Sequence, residues 1–262
     1  MSYFTFISRR ANAALHAGVG DRGDRVAEVR GIGRVTSIAA STKPSLWVCI
    51  REEGEPHSRL RRLAIPSLQV EADIEVARVG ALACGDDPSS VVFVEIPLAD
   101  TGEVKLVRLT GDSAERIPGP PPDISSQVAW TGSRQLAYEA SDRRLCVIDM
   151  ASGAHQLGPT GRNPAAALAA REWYAVVGTQ AVRFPAAEPF AAAPLPLEGF
   201  SIGEPTSLRF THDGNVCTWM EPKALYESRG YVQTKGGERI RMRALDDGIG
   251  AVIGPYSAGE KA

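Results

Sequence analysis

The chain has 262 residues, of which 44% are apolar and 23% charged, and its 29 basic and 31 acidic side chains leave a net charge of −2. This is enough apolar material for a sizeable core, without the basic excess by which a protein grips a phosphate backbone. No run approaches the about 18 apolar residues that a spanning helix needs, so neither nucleic acid nor a membrane span is expected.

Residues 1–33 begin MSYFTFISRR, an apolar stretch too short for a secretion signal and followed, not preceded, by its arginines. A cytoplasmic protein is the expectation. YFTFI and RVAEV read as strands; either YFTFI is the innermost strand of this unit, or that strand is missing or supplied from elsewhere.

Residues 34–73 then offer GRVTSIAAS, SLWVCIRE, SRLRRLAI and LQVEAD, four β-type runs separated by turn residues. Residues 74–122 repeat the arrangement as EVARVGALACGDD, SSVVFVEIP, GEVKLVRL and AERIPGP. It is plainest in 123–161, where Gln127–Trp130, Gln135–Ala140, Leu145–Met150 and His155–Leu157 are divided by Thr131-Gly132-Ser133, Ser141-Asp142-Arg143 and Ala151-Ser152-Gly153. Residues 162–203 give a shortened, Ala/Pro-rich version around EWYAVVG and AVRFP, with the Ala run 165–170 read as strand rather than helix. The last unit, 204–257, reads as TSLRF, the turn THDGN, VCTWM, a long insertion 221–238, ERIRMRAL, the turn DDG and AVIGP.

The starts of the second strands, Leu46, Val91, Leu136, Trp173 and Val216, are spaced by 45, 45, 37 and 43 residues, the repeat length of a propeller blade. Each meander is apolar on both faces, as in Leu46-Trp47-Val48 and Val91-Val92-Phe93. A lone sheet cannot bury two such faces, whereas radial stacking covers both. The predicted fold is therefore a single all-β domain, a β-propeller of six blades of four antiparallel strands.

Cys49, Cys84, Cys146 and Cys217 lie far apart with no C-x-x-C pair, which argues for buried thiols in a reducing compartment and against a zinc or redox motif. The stretches VAWTGSRQLAYEAS followed by RLCVIDMASG, and LRFTHDGNVCTWM, resemble the TolB-like, WD-like propeller repeat. Trp47, Trp130, Trp173 and Trp219 are never followed by Asp, so WD repeats in the strict sense are disfavoured. The resemblance implies architecture; such repeats occur in scaffolds and peptidase-associated propellers alike.

No strong catalytic motif is present, and no cofactor or metal is expected. His212 sits in the THDGN turn and His155 at the start of an outer strand, both structural, and His16 has no placement. His57, in EEGEPHSR, is the one histidine worth testing as a ligand or base. Gly248–Gly254 ends at Pro255 without a following helix, so it reads as turn and strand-end glycine, not a dinucleotide site. The pairs Asp86-Asp87 and Asp246-Asp247 read as turn caps.

Ligand chemistry belongs on the face where inter-blade loops meet second-to-third-strand loops, with Arg34, Arg78, Gln127, Arg162, Asn163 and Glu204 at the channel mouth. The insertion 221–238 adds Tyr226, Arg229 and Tyr231, residue types suited to anchoring a partner. The leading expectation is a non-enzymatic module that binds a protein or peptide, with a monomer the simpler state. The alternative is a channel that binds or transforms a small anionic molecule, with His57 or Glu204 as proton acceptor. A fragment of a larger assembly is a third reading.

Overall fold

The computed structural model describes residues 15–19, 24–29 and 33–242, apart from 53, 66, 99–101, 133, 225 and 226. Among these residues there are five four-stranded antiparallel sheets and one two-stranded sheet. The two-stranded sheet pairs β1 (Leu15–Val19) with β2 (Asp24–Val29).

Blade 1 is β3 (Arg34–Ala40), β4 (Ser45–Arg51), β5 (Ser58–Ala64) and β6 (Val70–Val76). Blade 2 is β7 (Arg78–Cys84), β8 (Ser90–Ile96), β9 (Lys105–Thr110) and β10 (Ser113–Ile117). Blade 3 is β11 (Val128–Trp130), β12 (Gln135–Glu139), β13 (Arg144–Asp149) and β14 (His155–Thr160). Blade 4 is β15 (Arg162–Ala167), β16 (Glu172–Val177), β17 (Gln180–Pro185) and β18 (Leu195–Pro196). Blade 5 is β19 (Ser207–Phe210), β20 (Val216–Ala224), β21 (Glu227–Thr234) and β22 (Ile240–Arg241).

The protein is thus an all-β propeller of four-stranded blades, with five such blades where six were expected. Of the strands expected in 1–33, RVAEV is β2, paired with LHAGV, while YFTFI lies outside the described residues. Gly18, Gly20, Gly23, Gly31 and Gly33 punctuate this stretch, and glycine offers a ladder no side chain to pack.

The last blade holds a second correction. The supposed insertion is itself strand: β20 runs on through Glu221 and Pro222, and β21 returns beside it, pairing Glu221 with Arg229 and Trp219 with Tyr231. The segment ERIRMRAL therefore supplies the outer strand β22, not the third strand. AVIGP, Asp246-Asp247 and Gly248–Gly254 lie outside the described residues.

Burial follows the two-faced pattern of the strands. Between blades 1 and 2, Trp47, Cys49 and Leu60 pack on Leu82, Val91 and Phe93. Between blades 2 and 3, Val92, Val94 and Ile117 meet Leu136, Tyr138 and Ile148. Ala137 and Val147 then meet Trp173 and Phe184, and Tyr174 and Val176 meet Phe210 and Trp219. At these four seams apolar surface of one blade is removed from water by the next, worth roughly 1.5–3 kcal/mol per large side chain. Polar staples join them too: Trp47 Nε1 donates to the Pro88 carbonyl at 2.8 Å, and Leu82 N donates to Ser37 Oγ at 3.1 Å.

The innermost strands β3, β7, β11, β15 and β19 pack side by side in that order around a central channel. Each blade leaves its inner strand through a tight turn, as where Thr131 N donates to the Gln135 carbonyl and Thr211 N to the Val216 carbonyl. In THDGN, Gly214 adopts φ +73°, and Asp213 accepts hydrogen bonds from Thr211 Oγ1 and Asn215 N. All four cysteines are free and buried; burial pushes each thiol up, that of Cys84 to about 12. Among the described residues no helix is long and apolar enough to cross a membrane.

Candidate functional site

The inner-strand register decides what the channel contains. The residue opposite the third position of the second strand is Ala39, Ala83, Ala129 and Ala165 in blades 1 to 4. In blade 5 the same position is Arg209, opposite Thr218. Four methyl groups and one guanidinium therefore line the narrow part of the channel, which has a volume of about 100 Å³. Alanine keeps the passage open; arginine puts a cation in it.

Arg209 also reaches a wider cavity of about 320 Å³ at the end where the inner strands begin. Its described lining includes Thr36, Val79, Ile124, Ser126, Gln127 and Trp219. One Arg209 N–H donates to the Leu208 carbonyl at 2.7 Å, and Nη2 donates to Gln127 Oε1 across the channel. Guanidinium carries five N–H donors, and the others have no partner among the described residues.

Neither Asp nor Glu occurs among the described lining residues of either cavity. Arg209 keeps some surface open to the channel, yet protein crowds it closely enough that burial lowers its pKa to about 10. Burial without a counter-ion is costly for a charge, and such sites are places to look for function.

The residues expected at the mouth divide into two groups. Gln127 lines the cavity and holds Arg209. Arg34, Arg78 and Arg162 are the first residues of β3, β7 and β15, exposed on the same face and without a carboxylate partner among the described residues. Asn163, at φ 54°, donates from Nδ2 to the Thr206 carbonyl at 2.8 Å and so ties blade 4 to blade 5. Glu204 is exposed in the approach to β19, and His57 is exposed between β4 and β5.

On the long hairpin, Arg229 is exposed and Tyr226 lies outside the described residues. Tyr231 is already engaged: its ring stacks on Trp219 at 5.5 Å, with the Arg239 guanidinium 3.6 Å over it. Arg239 also pairs with Glu221, whose carboxylate accepts from Trp219 Nε1 at 2.8 Å and from Gly203 N at 2.9 Å. Burial alone would raise the Glu221 pKa, but these bonds hold it below the usual range.

Arg209 was not singled out from the sequence. The available signal was an arginine inside TSLRF, where the other inner strands carry alanine.

The opposite end of the channel opens into a larger hollow of about 850 Å³ with mixed charges, Asp86 and Asp149 with Arg134 and Arg171. His212 lies there in its turn, its carbonyl accepting from Ala169 N at 2.7 Å. His155 is exposed, with Nδ1 3.2 Å from the Gly153 carbonyl. Asp87 accepts from Ser89 N and Oγ, bonds that lower its pKa and cap the turn. Among the described residues no three His, Cys, Asp or Glu side chains group as metal ligands.

TolB from Acinetobacter baumannii superposes with a TM-score of 0.67 at 10% identity over 96% of this chain and 66% of that one. The fold is that of a TolB-like propeller. A protein assigned as TolB in Agrobacterium tumefaciens matches with a TM-score of 0.61, at 13% identity and over 94% of this chain and 89% of that one. The Cps50 (Swd1) β-propeller domain of Myceliophteria thermophila matches at 0.56, with 12% identity and coverage of 93% and 86%. A chain of a nidogen/laminin complex matches at 0.62, with 7% identity and coverage of 96% and 97%. No protein-family model and no curated protein matches the sequence. At these identities the TolB-like likeness carries the fold alone.

Proposed function

We propose that this TolB-like propeller is a non-enzymatic binding module that docks a protein or peptide on the face where its inner strands begin. The observation that carries the reading is a channel mouth whose described lining holds a half-buried arginine and no carboxylate, framed by three arginines at the strand starts that have no partner among the described residues. Such a field concentrates anionic partners at the mouth and speeds their encounter. Propellers of this fold occur in assemblies, the nidogen/laminin complex among the similar structures.

Two of the lining hydroxyls have structural work. Ser126 Oγ donates to the Gln127 carbonyl and accepts from Glu139 N, while Ser37 Oγ accepts from Leu82 N. Neither is set beside a histidine in the manner of an activated nucleophile. The four unpaired thiols favour a reducing compartment, and we place the protein in the cytoplasm.

The test is affinity capture from a lysate of the source organism with Arg34, Arg78 and Arg162 all changed to Glu, beside a control changing Arg134 and Arg171 at the far end. Loss of a specific partner with the first variant only supports the reading; equal capture by both variants and the parent contradicts it. A second reading, a small anionic molecule held in the channel, is favoured by Arg209 itself.

A further inference from the structure

Resting on the mouth as the binding site, we infer that the channel is built to receive a carboxylate attached to an apolar body, with the carboxylate on Arg209 and the body against Ile124 and Met220.

The charge count selects the ionic class. Inside the described lining there is one cation and no anion, so a single negative charge restores neutrality in a setting where an unmatched charge is costly. A carboxylate satisfies that need through two N–H···O bonds to a guanidinium edge. A phosphate brings a larger charge that a single cation does not balance, and three of the neutral hydroxyls nearby are committed elsewhere. Ser125 Oγ donates to Asp123 and Ser126 Oγ to the Gln127 carbonyl, while Thr36 Oγ1 faces the Cys49 carbonyl. The unused N–H groups of Arg209 are the charged donors in the lining, beside the neutral hydroxyls of Ser207 and Thr218 and the Gln127 side-chain amide.

The apolar half of the ligand follows from the rest of the cavity. Ile124 is 54% exposed, one of few large hydrophobics left in water, and it stands at the edge of this cavity. Met220, half-buried, continues the wall inward toward Arg209, while Val79 and Trp219 back it from within the seams between blades. A volume of about 320 Å³ lies at the small end of ligand pockets, suited to a compact organic acid or the last residue or two of a peptide.

Gln127 fixes the geometry. Its side-chain oxygen takes a hydrogen bond from Nη2, so the guanidinium is held from the side of blade 3 instead of swinging freely. A preorganised cation loses less entropy on binding than a flexible one. In this arrangement Arg209 contacts the ligand and Gln127 is a positioning residue.

Two sources share this chemistry, a peptide chain end and a free organic acid, and the experiment separates them. Calorimetric titrations would compare 3-phenylpropionate with its amide, and the tripeptide Ala-Ala-Phe with its C-terminal amide, on the full chain and on Arg209→Met and Arg209→Lys. At least one acid is expected to bind saturably, with its amide weaker by about tenfold or more through loss of the charge-assisted bonds. Arg209→Met should abolish the preference for acid, and Arg209→Lys should retain part of it. Binding by the peptide acid alone assigns a chain end, and by phenylpropionate alone a small acid.

Equal affinity of acid and amide, or no saturable binding by either acid up to about 10 mM, where binding energy is only about −3 kcal/mol, would overturn the inference. If Arg209→Met unfolds, the acid-to-amide ratio on the parent and on Arg209→Lys still decides. Partner capture that depends on Arg34, Arg78 and Arg162 but ignores Arg209→Met would leave the proposed function standing and remove this inference alone.

Discussion

The two ends of the channel differ in a way that size alone misleads about. The far end is the larger, about 850 Å³, yet it holds charges of both signs, and one pair of them meets: Arg134 lies 3.4 Å from Asp149. Asp149 is also occupied by its own turn, accepting from Ala151 N, Ser152 N and Ser152 Oγ, and the backbone bond from Ser152 contributes most to its lowered pKa. The mouth is smaller, about 320 Å³, and contains a half-buried cation that nothing in its described lining neutralises. A site is marked by unmet chemistry, and volume is a poor guide to it.

The sharpest way to break the contrast is to crowd the narrow channel. Ala129→Arg places a second guanidinium at the register of Arg209, in a position only 4% exposed. Overpacking plus like-charge burial is expected to lower stability by about 3 kcal/mol or more, read as a shift in the urea midpoint. A variant as stable as the parent would mean that the alanine positions do not set the channel width.

Glu221 anchors the mouth side of blade 5, and Glu221→Gln should reduce stability by about 1–2 kcal/mol at neutral pH. The folded protein holds this carboxyl below its usual range, so its contribution is present above the unfolded value near 4.5 and fades as pH falls through the lower folded value. Urea denaturation across that range should show the parent converging on the variant in acid, and a constant difference would refute the assignment.

Arg209→Met is expected to act in the opposite direction. The pKa of this base is depressed in the fold, so the charged form costs stability at every pH below about 10, and the cost is relieved as pH rises past that value. Replacement by an apolar chain of similar length should raise stability at neutral pH by about 1 kcal/mol, with calorimetric unfolding as the readout. The smallest effect belongs to the far end, where Arg134→Ala should move the melting temperature by no more than about 1 °C, because exposed pairs contribute little.

Much of the fold was legible because the strands advertise themselves. Second strands begin at Ser45, Ser90, Gln135, Glu172 and Val216, at or one residue before the apolar residues whose spacing suggested blades. The Ala run is strand to Ala167 and turn beyond it. Blade 5 was misread because ESRGYVQT alternates weakly and contains Gly230, so the more regular ERIRMRAL took its place in the alignment. That Arg34, Arg78 and Arg162 open inner strands could be read from strand order, whereas the place of Arg209 could not, since an arginine within a strand acquires meaning only once register sets it opposite Thr218 and among four alanines.

The most direct test is a backbone amide and arginine side-chain NMR titration of the labelled chain with 3-phenylpropionate. The account predicts shifts gathered on Thr36, Gly80, Ser126, Thr218 and the Arg209 side chain, the lining of the smaller cavity. Shifts gathered instead on Gly132, Ala169 and Arg171, in the larger hollow at the far end, would contradict it.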